Sequence, residues 1–84
     1  MAKFIIRVGA NRVEDWNKEV TLESLQEAVD GYIELVRFPD AIMIVDEEGL
    51  LKNKPSNVLA TRLAGQHIVG DVIVLQGDSM EELK

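Results

Sequence analysis

The segment from Ala41 to Asn57 concentrates the side chains that could do chemistry. Five consecutive apolar residues, 41–45, run directly into Asp46, Glu47 and Glu48. Carboxylates can ligate a hard cation, but calcium loops alternate their ligands and close with a distant glutamate, and that spacing is absent here. Consecutive residues at a strand end point to opposite sides, so at most two of the three could converge. We therefore predict no metal site and interpret the acidic triplet as a solvated turn that ends a hydrophobic strand.

A basic stretch follows the acidic triplet and leads into a pattern typical of a helix start. Lys52 and Lys54 lie just before Ser56 and Asn57, and either of the last two suits a helix N-cap. The free amide groups and positive dipole end of a helix start can hold an anion, although the paired glycines of a phosphate loop are absent. The alternative is a solvated basic face. As a site for a small anion or nucleotide, the segment would place Lys52, Lys54 and Asn57 towards the ligand, with Glu47 and Glu48 at its rim.

Catalytic patterns are weak along the chain. His67 is the only histidine, so a metal site with two histidines is excluded. A nucleophile–histidine–acid triad is formally possible with Ser24, Ser56 or Ser79, but none of them lies in a Gly-x-Ser-x-Gly elbow. Residue types also permit a glycosidase-like pair of carboxylates, although a chain this short has little room for a cleft. We predict no catalytic residue and no cofactor, and expect a non-enzymatic protein.

The composition limits the partners and the compartment. The chain has 84 residues, no cysteine and a net charge of −6. A general nucleic-acid binder needs a basic surface, so that class is not expected. The longest apolar run has five residues, far below the roughly 18–20 needed to cross a bilayer. No secretory hydrophobic region fits the first residues. These observations predict a cytoplasmic protein that neither enters a membrane nor uses disulfides.

Hydrophobic periodicity predicts the elements that would position these residues. We expect strands over 3–8, 13–20, 32–38, 41–45 and 68–75, with a turn over 9–12 and a break at Gly70. A first helix should begin after Thr21 and end with Gly31 in the left-handed conformation. A second should turn Val58, Leu59 and Leu63 inward and end at Gly65. The strand 41–45 is apolar on both faces, which indicates a central strand with a layer over each side.

The order β-β-α-β-β-α-β favours an α+β domain. We predict a small, mostly antiparallel sheet of about five strands with two helices packed against it. This domain should span residues 1–77, and residues 78–84 should form a short, frayed acidic tail.

Two aromatic residues are candidates for an interface. Trp16 and Tyr32 could anchor a partner, since aromatic side chains dominate binding hot spots. The equal alternative is that each fills a core that has only four aromatics. Trp16 belongs to the polar second strand, and it therefore has the better claim to an exposed role. If that strand is an edge, two copies of the chain could pair through it as a homodimer.

Four segments follow one another in a fixed order: Leu22 with Leu25-Gln26 and Val29-Asp30-Gly31-Tyr32-Ile33-Glu34, then Val45-Asp46-Glu47-Glu48-Gly49, then Lys52 with Pro55-Ser56-Asn57, and Ile68-Val69-Gly70-Asp71-Val72-Ile73-Val74. In this order they resemble a family known as domain of unknown function 3846, which occurs in phages, prophages, plasmids and bacteria. The similarity covers the chain from Lys3 to about Gly77. The family supplies no established activity, and Glu47, Glu48, Gly49 and Asn57 match its pattern. The resemblance implies a small accessory protein of a mobile element.

Together, these patterns predict a phage or prophage accessory protein that acts by binding, with an anionic ligand at 46–57. The alternative is an acidic interaction module or inhibitor. Such a module would bind a basic host or phage protein through the edge strand or the acidic surface.

Overall fold

The secondary structure follows the predicted order closely. A computed structural model describes residues 2–9 and 12–83. Ala10 and Asn11, in the predicted turn over 9–12, lie outside the described residues. A 3-10 helix, which the sequence did not predict, follows the last strand. The elements are β1 (Lys3–Arg7), β2 (Arg12–Asp15), α1 (Leu22–Val29), β3 (Ile33–Phe38), β4 (Ala41–Asp46), α2 (Val58–Ala64), β5 (Val72–Gln76) and the C-terminal 3-10 helix (Gly77–Leu83).

The five strands form one antiparallel sheet in the order β2-β1-β5-β4-β3. Two hairpins, β1–β2 and β3–β4, lie at opposite sides of the sheet, and β5 fills the gap between them. The strands β2 and β3 are therefore the two edges. The predicted α+β class, with five strands and two helices, is confirmed.

Both faces of the sheet are covered. On one face, Ile6, Met43 and Val72 pack against Ala60 of α2. On the other face, Ile44 and neighbouring side chains pack against α1 and the C-terminal 3-10 helix. Because successive side chains of a strand point to opposite faces, an internal strand between two layers must be apolar throughout. All of β4 is buried, as its unbroken apolar run predicted.

The first helix begins as expected and ends differently. The Ser24 N–H donates to the Thr21 side chain, and the Thr21 N–H donates to the Ser24 hydroxyl, each over 3.0 Å. This capping box satisfies two amide groups that the helix itself leaves unpaired. At the other end, Asp30 (φ 57°) takes the left-handed conformation predicted for Gly31. The prediction for Gly31 is therefore wrong.

Of the two candidate caps, Ser56 and Asn57, it is Asn57 that caps the second helix, and the helix ends at Gly65 as predicted. Its inward face is only partly the predicted one. Ala60 is fully buried, whereas Val58 and Leu63 are 51% and 55% exposed. Only Leu59 of the three expected residues packs, partly buried, against the core.

The second and last strands are shorter than predicted. The second strand ends at Asp15, so Trp16 lies just after it. The Trp16 N–H donates to the Lys3 carbonyl over 3.1 Å. In the predicted last strand, Gly70 (φ 75°) breaks the pairing as expected, and Val69, before the break, forms an isolated bridge with Ser56.

The expected frayed tail is instead packed onto the sheet. Residues 77–83 form the 3-10 helix, and Met80 and Leu83 lie against the core on the α1 side. Ser79 is buried and donates its hydroxyl to the carbonyls of Ala2 and Gln76, 2.7 Å from each. The prediction of a frayed tail overlooked Met80 and Leu83, two apolar side chains three positions apart in an otherwise acidic stretch, which can pack on the core together.

Candidate functional site

The acid-then-base segment folds back on itself. Asp46 is the last residue of β4, and its side chain is only 1% exposed. Its Oδ2 lies 2.7 Å from Lys54 Nζ and 3.0 Å from Lys52 Nζ. The loop after β4 returns both lysines to the carboxylate through a tight turn in which Asn53 has φ 56°. The prediction that Asp46 is a solvated strand end is therefore wrong, while Glu47 and Glu48 are exposed as expected.

The same two lysines also close the end of α1. Lys54 Nζ donates to the carbonyls of Val29 and Asp30 over 2.6 and 3.0 Å, and Lys52 Nζ donates to that of Asp30 over 3.2 Å. The last carbonyls of a helix lack partners within it and carry its negative dipole end, so cations are favourable there. α1 has no basic residue in its own last turn, and the loop supplies the charge. We call Asp46, Lys52 and Lys54 the Asp46 cluster.

The Asp46 cluster explains Gly31. A Cβ atom at this position would lie 2.6 Å from both Asp46 Oδ1 and Lys52 Nζ. That separation is too short for a carbon atom, so any side chain here would push the ion pair apart. Glycine is thus required for close approach rather than for a left-handed turn.

The electrostatics of the Asp46 cluster favour the charged carboxylate. Burial by itself raises the pKa of Asp46, but hydrogen bonds from Lys54, the Glu48 backbone N–H and Lys52 outweigh it, and the pKa lies below its ordinary value. The hydrogen bond to Asp46 likewise raises the pKa of Lys52 above its ordinary value. The group is thus a stabilised ion-pair network.

The lowered pKa predicts how stability depends on pH. Above the unfolded-state pKa of about 3.9, Asp46 is charged in both states, and its contribution to folding is fully present. As the pH falls through that value towards the lower folded-state pKa, the contribution is lost. We expect the difference in unfolding free energy between wild type and Asp46→Asn to shrink from pH 7 to below about pH 4. Urea unfolding at several pH values measures it, and a difference independent of pH would contradict the assignment.

Asn57 lies in the interior. Its side chain is fully buried, and its Nδ2 donates to the carbonyls of Ile6 (3.0 Å) and Gly70 (2.9 Å). Its Oδ1 accepts the Ala60 N–H at 3.1 Å, which is the helix cap. Both polar ends of the amide are therefore satisfied by this chain, and Asn57 joins β1, α2 and the segment before β5.

The residues predicted to bind a ligand do not face a common surface. Lys52 and Lys54 face Asp46 and the end of α1, and Asn57 faces the core. Glu47 and Glu48 remain at the surface. We expected Lys52, Lys54 and Asn57 to face an anion, but all three side chains bond to partners within the chain.

A groove on the α2 face, beside edge strand β3, was not predicted. It encloses about 170 Å³ and is bounded by β3, β4, the loop after β4 and the segment after α2. The carboxylates of Glu34 and Glu47 are exposed and make no hydrogen bond or ion pair within residues 2–9 and 12–83. We call it the β3 groove, and its lining residues are Glu34, Val36, Val45, Asp46, Glu47, Leu50, Gln66, His67, Ile68 and Val69.

His67, on the wall of the β3 groove, is paired with a serine. Its Nε2 lies 2.9 Å from Ser56 Oγ, and both residues are exposed. Of the three serines considered for a triad, Ser24 caps α1 and Ser79 is bonded to backbone carbonyls. No carboxylate among the described residues is bonded to the His67 ring. The arrangement is a serine–histidine hydrogen bond without the acid that orients a triad.

The two aromatic candidates differ in exposure. Trp16 is only 6% exposed, packs within the core on the α1 face, and has Lys3 Nζ 5.8 Å from its ring centroid. The structure thus favours the core alternative for Trp16. Tyr32, immediately before β3, is 67% exposed. Aromatic surface is therefore available next to β3 rather than next to β2.

Residues 2–9 and 12–83 show no sign of a metal site or of a membrane-spanning helix. They contain no group of three or more acidic, histidine or cysteine side chains that could hold a metal ion. None of their helices is long and apolar enough to cross a membrane.

Comparison with known proteins identifies one family. The model of the family described as a domain of unknown function, DUF3846, matches residues 2–84. No curated protein and no solved structure matches the chain. The match covers nearly every residue, including the Asp46 cluster, Asn57 and the β3 groove, and the chain belongs to the DUF3846 family.

Proposed function

We propose that this chain is a small, non-enzymatic cytoplasmic accessory protein that binds a basic partner protein along edge strand β3. One observation carries the proposal: an unpaired strand edge lies directly beside two carboxylates that have no partner in the described chain. The phage or prophage context implied by the family resemblance would make a host or phage protein the partner.

The hydrogen-bonding pattern of β3 supports strand addition. The Glu47 N–H donates to the Tyr32 carbonyl over 2.8 Å, and Phe38 pairs with Ala41 across the two-residue turn. Antiparallel partners alternate between bonded and non-bonded pairs, so the even-numbered residues of β3 bond to β4. The N–H and C=O groups of Ile33, Leu35 and Arg37 then point away from the sheet. A partner strand can pair with such groups.

The other sheet edge is less suited to strand addition. β2 has only four residues, and Glu14 forms ion pairs with Arg7 (2.7 Å) and Arg12 (2.9 Å). Short, charged edge strands resist pairing with other chains. β3 has six residues and no proline. The edge-strand interface predicted for the second strand is therefore proposed for β3 instead.

The anion-binding version of the function is no longer proposed. It required Lys52, Lys54 and Asn57 to face a ligand, and all three have partners within the chain. The acidic-module alternative keeps its basis, since the net charge is −6 and two of the carboxylates, which have no partner in the described part of the chain, line the β3 groove.

Blocking the β3 edge should abolish partner binding. Arg37 is exposed and its N–H points outward, so Arg37→Pro removes no hydrogen bond of the sheet but prevents pairing at that position. Peptides would be selected from a random displayed library on the wild type, and their affinities measured by fluorescence anisotropy. We expect Arg37→Pro to weaken binding about tenfold or more.

Arg37→Ala is the matched control, because it removes the same charge and leaves the backbone free to pair. Its affinity for the peptides should equal or exceed that of the wild type. If Arg37→Pro binds the peptides as well as Arg37→Ala does, β3 is not the binding edge. Analytical ultracentrifugation of the free protein shows whether a second copy of the chain pairs with β3. A dimer formed through β3 would contradict the proposal of a basic partner protein.

A further inference from the structure

We infer that the β3 groove recognises one basic side chain, an arginine in preference to a lysine, on the strand that pairs with β3. The inference rests on the proposed function and specifies its partner: an extended segment with a basic residue opposite Glu34 or Val36.

The position of the groove relative to β3 sets which partner residue enters it. Glu34 and Val36 project from β3 on the α2 face and line the groove. Side chains directly opposite each other on neighbouring strands lie about 4.5–5.5 Å apart on the same face. Every second side chain of an added strand would therefore stand over this face, and one of them would lie beside Glu34.

The charges in the groove favour a cation on the added strand. Glu47 lies opposite Tyr32, as the hydrogen bond between them shows, and Glu34 lies opposite Val45, so the two glutamates are diagonal neighbours on one face. Neither carboxylate has an ion pair in the described chain. An added strand would desolvate them, which is costly unless a cation pairs with them. An acidic side chain at this point would be repelled.

The walls and size of the groove favour a long side chain. Val36, Leu50 and Val69 supply apolar surface for a side-chain stem, and Glu34 and Glu47 of the same lining supply carboxylates for its charged head. The groove encloses about 170 Å³, below the roughly 300–1,000 Å³ of small-molecule sites, so it suits one side chain better than a free metabolite. A guanidinium can bond to two carboxylates in fixed planar geometry, and therefore arginine is preferred over lysine.

The test is a double-mutant cycle on peptides selected for binding to the wild type. These peptides should be enriched in arginine, more strongly than in lysine, at one position of the strand that pairs with β3. Replacing the enriched residue with glutamine should weaken binding to the wild type about tenfold, but should have little effect on binding to Glu34→Gln/Glu47→Gln. A residue that only shapes the surface would not show this coupling.

A charge-matched variant separates the groove from the overall charge. Glu23→Gln/Glu27→Gln removes two exposed carboxylates from α1, which lies on the other face of the sheet. It should retain the full preference for the basic residue. If it loses the preference as completely as the groove variant does, long-range charge explains the effect and the inference fails.

A free side-chain analogue tests the groove without the strand. Butylguanidinium should shift the NMR signals of the Val36, Leu50 and Val69 methyl groups in the wild type but not in Glu34→Gln/Glu47→Gln, and neutral butylurea should shift neither. Peptides that depend on the β3 edge but show no basic preference, with no butylguanidinium shifts, would overturn this inference alone. Peptides that show no dependence on the edge would overturn the proposed function.

Discussion

Replacing Asp46 with asparagine is expected to lower the free energy of unfolding by about 3 kcal/mol at pH 7, since removing one member of a buried ion pair leaves its partner uncompensated. The new amide would keep the bond from the Glu48 N–H but place no negative charge against Lys54, whose side chain is only 15% exposed. The end of α1 would be weakened with it, because the same lysines bond its last carbonyls. Urea unfolding followed by circular dichroism measures the change.

Two variants sharpen this test. Glu47→Gln removes the adjacent exposed carboxylate and should change stability by no more than about 0.5 kcal/mol. Combining Asp46→Asn with Lys54→Met should recover part of the loss, because the unpaired charge is removed as well. A cost for Asp46→Asn no larger than that for Glu47→Gln would show that the Asp46 cluster does not hold the loop and helix together.

Asn57→Ala should cost about 3 kcal/mol of unfolding free energy. The substitution removes the cap of α2, worth about 0.5–2 kcal/mol, and leaves the buried carbonyls of Ile6 and Gly70 without their donor. Thermal or urea unfolding measures the loss. A cost below about 1 kcal/mol would mean that the Asn57 amide does not hold β1, α2 and the segment before β5 together.

Asn57→Asp adds a control whose cost should depend on pH, unlike that of Asn57→Ala. An aspartate keeps the acceptor for the Ala60 N–H but puts a buried carboxylate against two carbonyl oxygens. Burial would raise its folded-state pKa, so its destabilisation should be fully present above the folded-state pKa and should fall as the pH drops towards about 4. A penalty for Asn57→Asp that does not decrease with falling pH would contradict the burial of this side chain.

Local signals were sufficient for most of the fold. The apolar run 41–45 specified a strand covered on both faces, and Thr21 and Asn57 specified the starts of the two helices. Hairpin-forming strands in sequence then favoured an antiparallel sheet. These features depend on residues close together in the chain, which is why periodicity and capping rules were enough.

The site could not be predicted in the same way, because each of its residues depends on distant partners. Asn57 is one of two candidate caps in the sequence, with Ser56, but its burial depends on the Ile6 carbonyl, 51 positions earlier. Lys52 and Lys54 were recognised as an organised pair of cations. Their targets are Asp46 and the end of α1, and nothing local indicates that the loop returns to either. A buried acid followed at six and eight positions by lysines is the signal that could have suggested an internal ion pair.

The β3 groove illustrates the same limit. Glu34 comes from β3, Glu47 from the loop after β4, and His67 from the segment after α2. The sequence analysis predicted an interface at an edge strand. It assigned that edge to the second strand, because alternating charges are typical of an exposed edge. Only the strand order places β3 at the other edge, beside two carboxylates that have no partner among residues 2–9 and 12–83.

Residue-resolved amide hydrogen exchange of the protein with and without a selected peptide tests the central claim most directly. If a partner strand adds to β3, the amides of Ile33, Leu35 and Arg37 gain protection on binding, whereas those of Glu34 and Val36, already bonded to β4, change little. Protection that appears instead at β2, or equally at odd and even residues of β3, would contradict the account.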